Sequence, residues 1–239
     1  MSCRIICRWG LGIVLVCMSV GLADEQPRKN SKQALQAFND LIGSWRCTGQ
    51  PEGSRTDKQR GFWTETMAWQ WQFKGDDAWL EVAIDKGKHF STGELRYLPA
   101  KDQFQFTVQT PAKETLVFIG PLRDKQLTLD RTDEATKQTQ RLVISLLHAN
   151  RFLYRYEVKP ADRNLFARLY QVGATKEGVP FAQGDDGPEC VVSGGLGTIK
   201  VSYNGKTYYV CCSGCRRAFQ DEPEKYIKEY EEAKKKKGK

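Results

Sequence analysis

Four cysteines crowd the C-terminal quarter of the chain: Cys190, Cys211, Cys212 and Cys215. Twenty residues separate Cys190 from Cys211, and three separate Cys211 from Cys215. Thiols at such spacing do one of two things. As thiolates they ligate zinc or a softer ion such as Cu(I), or in an oxidising compartment they pair as disulfides. The intervening residues favour the metal. Val201, Tyr203, Tyr208 and Val210 flank Asn204-Gly205. Asn-Gly between alternating apolar residues signals a type I′ hairpin, because both central positions need positive φ. The chain therefore leaves Cys190, turns back, and returns to a cysteine pair. Arg216 to Gln220 continues as a helix whose first turn carries Cys215. Cys190, Cys211 and Cys215 can then meet around one ion. Cys212, next to Cys211 on an extended segment, points to the other side and is a reserve ligand. A module this short buries little apolar surface, so a metal or disulfide staple is expected on physical grounds.

The same residues resemble the TRASH/YHS family of small treble-clef-like metal modules. That family spaces its cysteines in the same way and follows a Tyr-x-Gly-x-x-Tyr hairpin with Cys-Cys-x-x-Cys, Phe and Asp-Pro-x-x-Tyr. The counterparts here are Tyr203, Gly205, Tyr208, Cys211, Cys212, Cys215, Phe219, and Glu222-Pro223-Glu224-Lys225-Tyr226. Two positions depart from the pattern. Ser193 stands where a second metal-binding residue often follows the first cysteine, and Glu222 replaces the usual Asp. The resemblance implies metal sensing, transfer or trafficking, with the fourth coordination position unassigned.

The N-terminus sets the expected compartment. Arg4 and Arg8 precede an apolar run, Leu11 to Val20, and Gly21-Leu22-Ala23 offers a cleavage site before Asp24. This predicts a signal peptide over 1–23 and a periplasmic or secreted protein. The apolar run is short for a membrane span, so no transmembrane anchor is expected after cleavage. Cys17 offers a lipoprotein alternative, but Val16 stands where a small residue is expected. Net charge is +8, much of it in the terminal lysines, Lys234 to Lys237 and Lys239. The tail 233–239 is expected to be solvated and loose. Export argues against a nucleic-acid partner.

Between these ends the pattern has period two. Ser31 is a plausible N-cap for a short helix over Lys32 to Leu41, ended by Gly43. Met67, Trp69, Trp71 and Phe73 then share one face, as do Phe104, Phe106 and Val108, and Leu142, Ile144 and Leu146. Turn signals such as Lys74-Gly75-Asp76-Asp77 and Gly120-Pro121 separate the runs. Nine or ten short strands with hairpin connections predict an antiparallel meander, and closure into an up-and-down barrel removes its edges. The helix, Leu41-x-Gly43-x-Trp45 and the meander resemble the lipocalin-like superfamily, which implies that Trp45 closes the barrel floor. The expected fold is thus mainly β: a barrel over 24–175, a Gly/Pro linker over 176–187 and a ββα metal module over 188–232.

Nothing in the sequence assembles a catalytic group. His89 and His148 fall in expected turns, and surface positions suit both. Glu65 and Glu81 sit in strand patterns that leave room for one of them as a lone inward carboxylate, with no recognisable acid–base partner. Phosphate loops, nucleophile elbows and His-Glu-x-x-His are absent. Non-enzymatic metal binding is the expectation, with zinc or copper as the single ion. The competing class is a carrier, in which the barrel holds a small apolar ligand and the module is a stapled appendage.

Overall fold

The computed structural model describes residues 29–178 and 187–237. The segment read as a signal peptide, most of the expected linker and the last two lysine-tail residues lie outside that range.

The chain enters through α1 (Ser31–Leu35) and a 3-10 turn (Gln36–Leu41). The N-cap is Asn30 rather than Ser31: its side chain accepts from Gln33 N, and the Gln33 side chain accepts from Asn30 N. Eleven antiparallel strands and one short helix follow in order. They are β1 (Gly43–Pro51), α2 (Arg55–Gly61), β2 (Trp63–Lys74), β3 (Asp77–Asp85), β4 (Thr92–Leu98), β5 (Gln103–Gln109), β6 (Thr115–Gly120), β7 (Leu122–Arg123), β8 (Gln126–Thr132), β9 (Thr139–His148), β10 (Arg151–Lys159) and β11 (Ala167–Lys176). Sequential hairpins order the sheet, β1 pairs with β11, and β6 pairs with β8. Pro121 splits β6 from the two-residue β7, so the closed barrel counts ten strands. The seam of this broken strand with β8 is thin: Ile119 pairs with Asp130, Thr128 N donates to Pro121 O at 3.1 Å, and β7 adds two register pairs.

Alternation explains why these segments close around one core. Burial along β5 and β6 switches with each residue, and Trp45, Trp71, Phe118, Leu80 and Leu129 are buried essentially completely. The interior is aromatic: Trp45 meets Phe152 edge-on at 4.7 Å, and Trp69 stacks on Phe106 at 5.8 Å. The 3-10 turn plugs one end. Its Phe38 sits edge-on to Phe104 at 5.1 Å, and Trp45 Nε1 donates to Leu41 O at 2.7 Å. Trp45 therefore ties the plug to the first strand, in keeping with the floor role that the resemblance implies.

The module consists of a Cys190–Gly195 turn, a hairpin of β12 (Ile199–Tyr203) and β13 (Lys206–Val210), α3 (Ser213–Asp221) and α4 (Pro223–Lys237). Asn204 and Gly205 have φ of 47° and 73°, the type I′ values that the dipeptide predicted. Strand β11 runs through Gly173 to Lys176, with Gly173 paired to Thr48 and Leu153, and so ends within one residue of the expected end of the barrel. The C-terminal tail differs from the sequence reading. The lysines from Lys234 to Lys237 continue α4 rather than standing loose, and Lys234 Nζ lies over the Tyr230 ring at 4.4 Å. Among the described residues no helix is long and apolar enough to cross a membrane.

Candidate metal centre

Three elements deliver the thiols. Cys190 opens a tight turn closed by Cys190 N to Gly195 O (2.6 Å) and Gly194 N to Cys190 O (2.9 Å). The turn is anchored to the hairpin by Val191 N donating to Tyr209 O at 2.8 Å. Cys211 follows the end of β13. Cys212, in extended conformation, is the N-cap residue of α3, and Cys215 lies in the first turn of that helix. The hairpin thereby returns the chain as its sequence requires. The sulfurs of Cys190, Cys211 and Cys215 all lie within 4.8 Å of one another. Cys190 and Cys215 are fully buried, Cys211 half-buried.

The surroundings suit thiolates. Ser193 N donates to Cys190 Sγ at 3.4 Å, and the Ser193 hydroxyl lies 3.4 Å from Cys211 Sγ. Cys211 Sγ is 3.4 Å from Cys215 Sγ and 3.8 Å from Cys212 Sγ. Cys190 is held well below the ordinary thiol value, first because Cys211 and Cys215 direct their thiols at it, then through Ser193. Burial pushes Cys215 up. Within so small a space one thiolate is readily sustained and further ones demand positive charge. A cation would supply that charge. Among the described residues the group that converges is made of sulfur alone, a donor set that suits a soft or borderline ion better than calcium or magnesium. All five described cysteines are free thiols.

Cys212 behaves differently from its neighbours. It stands outside the three-sulfur group and turns toward the barrel, where Trp71 N donates to its sulfur at 3.4 Å. Its sulfur nevertheless stays beside the group, 3.8 Å from Cys211 Sγ, rather than on the far side of the extended segment. Ser193, which departs from the family pattern, is fully buried at the edge of the cluster.

Sequence reasoning missed what lies behind the thiols. The cluster is seated on the plugged end of the barrel. Gly214, in the first turn of α3, lies so close to β2 that a Cβ there would fall 1.6 Å from Trp71 O. Ser213 Oγ donates to Gln70 Oε1 at 2.7 Å, and Arg217 to Gln72 Oε1 at 2.8 Å. Gln36 Nε2 and Asn39 Nδ2 both donate to Ser193 O, at 3.0 and 3.1 Å. Lys32–Glu229 and Lys225–Asp76 ion pairs bridge the outside at 2.6 and 3.0 Å. Val191, Val192, Val210, Cys215 and Phe219 belong to the same apolar cluster as the barrel core. These contacts join residues more than a hundred positions apart, and several use backbone atoms, so no local motif announces them.

The module is similar to the YHS domain, whose family matches residues 197–230. Cys211, Cys212 and Cys215 fall inside the match, and Cys190 precedes it. The YHS likeness and the three-sulfur group together mark a metal-binding module. A solved chain titled "Structure of EF1p2_mFAP2b bound to DFHBI" is 13% identical over 59% of this chain and 98% of its own, with a TM-score of 0.25. Comparison with curated proteins gave no match.

The other polar residues singled out from sequence lie elsewhere. Glu81 accepts from Gln70 and Gln72 on the outside of the barrel. Glu65 points inward at the opposite end, only 2% exposed, and it does have partners. Tyr154 Oη donates to it at 2.8 Å, Trp63 Nε1 at 2.9 Å and Lys88 N at 3.3 Å. His148 is exposed, as expected. His89 is not a simple surface residue: it stacks on Tyr170 at 4.0 Å, nearly parallel, and burial lowers it to about 4.

Proposed function

We propose that this is an exported metal-binding protein in which the thiolates of Cys190, Cys211 and Cys215 hold one zinc or copper ion, with Cys212 in reserve. The observation that carries this reading is the convergence of three sulfurs, two buried and one half-buried, from a turn, a strand end and a helix start, within 4.8 Å. Zinc or Cu(I) bound there would neutralise the clustered thiolates and lock the turn, hairpin and helix to one another. Three thiolates leave room for a fourth donor. An open position suits sensing or trafficking of the ion, and occupation by Cys212 or Ser193 suits a closed structural site. Export rests on the n-region, apolar run and cleavage pattern of residues 1–23.

Metal stoichiometry and thiol titration on the reduced protein, with each Cys→Ser variant, test the reading. One ion per chain, lost with Cys190, Cys211 or Cys215 and retained with Cys212, is expected. A protein that takes up neither zinc nor Cu(I), or whose four clustered cysteines are all in disulfides when purified natively, overturns it. Mass spectrometry of the mature N-terminus, expected near Asp24, tests export.

A second reading, a carrier with the ligand inside the barrel, draws on one atom. Trp69 Nε1 is buried and has no hydrogen-bond partner, the one such side-chain atom among the described residues. Buried donors are normally paired, and an acceptor on a bound molecule or a water would satisfy it. Extraction of the purified protein followed by mass spectrometry decides: a stoichiometric small molecule supports the carrier, and none removes it.

A further inference from the structure

We infer that Asn39, a barrel residue outside the metal module, positions the thiol cluster. This rests on the metal reading above. The argument follows one connected path. Ser193 N holds Cys190 Sγ at 3.4 Å, so the position of that backbone fixes the position of the sulfur. The Ser193 carbonyl is in turn held by Asn39 Nδ2 at 3.1 Å, with Gln36 Nε2 as a second donor at 3.0 Å. The other end of the same carboxamide, Asn39 Oδ1, accepts from Trp71 Nε1 at 3.1 Å. Trp71 then offers its backbone N–H to Cys212 Sγ at 3.4 Å. Asn39 thus grips the Cys190 turn with one atom. With the other it grips the residue that faces Cys212.

The placement is well defined on every side. Trp71 is fully buried, so its indole has little freedom to find another acceptor. Ser193 is fully buried as well, and its carbonyl takes both donors from the barrel's entry segment. Asn39 itself sits in the 3-10 turn, whose Phe38 and Leu41 are locked in the core. A rigid element therefore holds the amide, and the amide holds the turn. Partners bonded directly to a ligand set its orientation, and losing one typically costs about 10–100-fold in metal affinity; Asn39 fixes two such partners at once, Ser193 beside Cys190 and Trp71 beside Cys212. In this chain that hold comes from a different unit of the fold.

The test uses the full-length reduced protein with Co2+ and Zn2+ as probes. Affinity is measured by competition with a chromophoric chelator, and Co2+ adds its thiolate charge-transfer and d–d bands. Asn39→Ala removes both bonds, and Asn39→Asp keeps the acceptor for Trp71 but loses the donor for Ser193. Both are expected to weaken Zn2+ by about 10–100-fold and to shift the Co2+ bands, since the geometry of the sulfurs changes. Gln36→Ala, at an exposed position that folding tolerates, removes only the second donor and is expected to weaken Zn2+ several-fold. Wild-type affinity and unchanged Co2+ bands in folded Asn39→Asp and Gln36→Ala overturn the positioning role while leaving the metal reading intact. A wild-type protein that binds neither probe overturns both.

Discussion

The two ends of the barrel each bury a knot of ionisable side chains, and the knots are built on opposite principles. At the far end every oxygen of Glu65 has a donor: Tyr154, Trp63 and the Lys88 amide. Cys47, opposite Glu65 in the register of β1 and β2, is pushed up to about 12, first by burial and then by that carboxylate, and stays a neutral thiol. Donors and acceptors balance there with protein groups alone. At the plugged end sulfurs face sulfurs, each a weak donor and a weak acceptor. Such a set is poorly satisfied by itself and well suited to a cation. A buried cluster of titratable groups therefore points to a ligand when its members lack complementary partners, and to scaffold when they have them.

The sharpest way to break this contrast is to remove one sulfur. Cys215→Ser should abolish stoichiometric zinc or Cu(I) binding, an effect well beyond the roughly hundredfold cost of losing an outer partner. Retained binding, measured by metal analysis after desalting, would remove the plugged end from the comparison. Next in size is the seat of the cluster. Gly214→Ala places a methyl against Trp71 O and should destabilise the protein by about 1–3 kcal/mol or more while prising α3 from β2. Denaturant unfolding reads the stability, and chelator competition should show weaker metal binding in the same variant.

At the far end Tyr154→Phe deprives a buried carboxylate oxygen of its donor. A loss of about 1–3 kcal/mol is expected in chemical denaturation, with zinc affinity unchanged. A change in affinity would mean that the two ends communicate. The smallest effect concerns His89. Its folded-state value, about 4, lies below the ordinary 6.5, so the unfolded chain takes up the proton first. The stability it contributes is complete above about 6.5 and is lost as pH falls toward 4. His89→Gln should flatten the stability profile in that window, and an unchanged slope would count against the assignment.

Much of the barrel was legible because period two leaves little choice: Met67, Trp69 and Trp71 share a parity, and so does Glu65. Extending that parity by one step puts Glu65 inside, although its partners come from β10, from the start of β2 and from the loop beyond β3. The hairpin and the three sulfurs were legible from Asn204-Gly205 and the cysteine spacing, because local turn chemistry dictates both. Helix α2 was missed although Ser54 and Asp57 form a capping box, since no apolar periodicity follows it. The lysine run was read as loose because repulsion between like charges opposes a helix. In the fold Tyr226 and Tyr230 anchor that helix, with Lys225 and Lys234 lying over their rings. The seat of the module on β2 was beyond sequence reading. It depends on backbone atoms of Trp71 and Ser193, which carry no residue-type signature.

The thin seam between β6 and β8 has a consequence for how the molecule breathes. Most other barrel strands are laced to both neighbours by longer ladders, whereas this gap is crossed by the Ile119–Asp130 pair, by Thr128 N donating to Pro121 O at 3.1 Å, and by the short β7 ladder of Leu122 with Leu127 and Arg123 with Gln126. Local opening starts where the fewest bonds must break together. The seam should therefore part first, with amide hydrogens of β6 exchanging with solvent well before those of β1 and β2. Such opening uncovers Phe118 and the interior behind it while the strands beneath the module keep their pairing. A transient slit on one flank of the wall, rather than the plugged end, is then the shortest route between solvent and the core. Hydrogen exchange read strand by strand would locate it, and equal protection of β6 and β1 would close it.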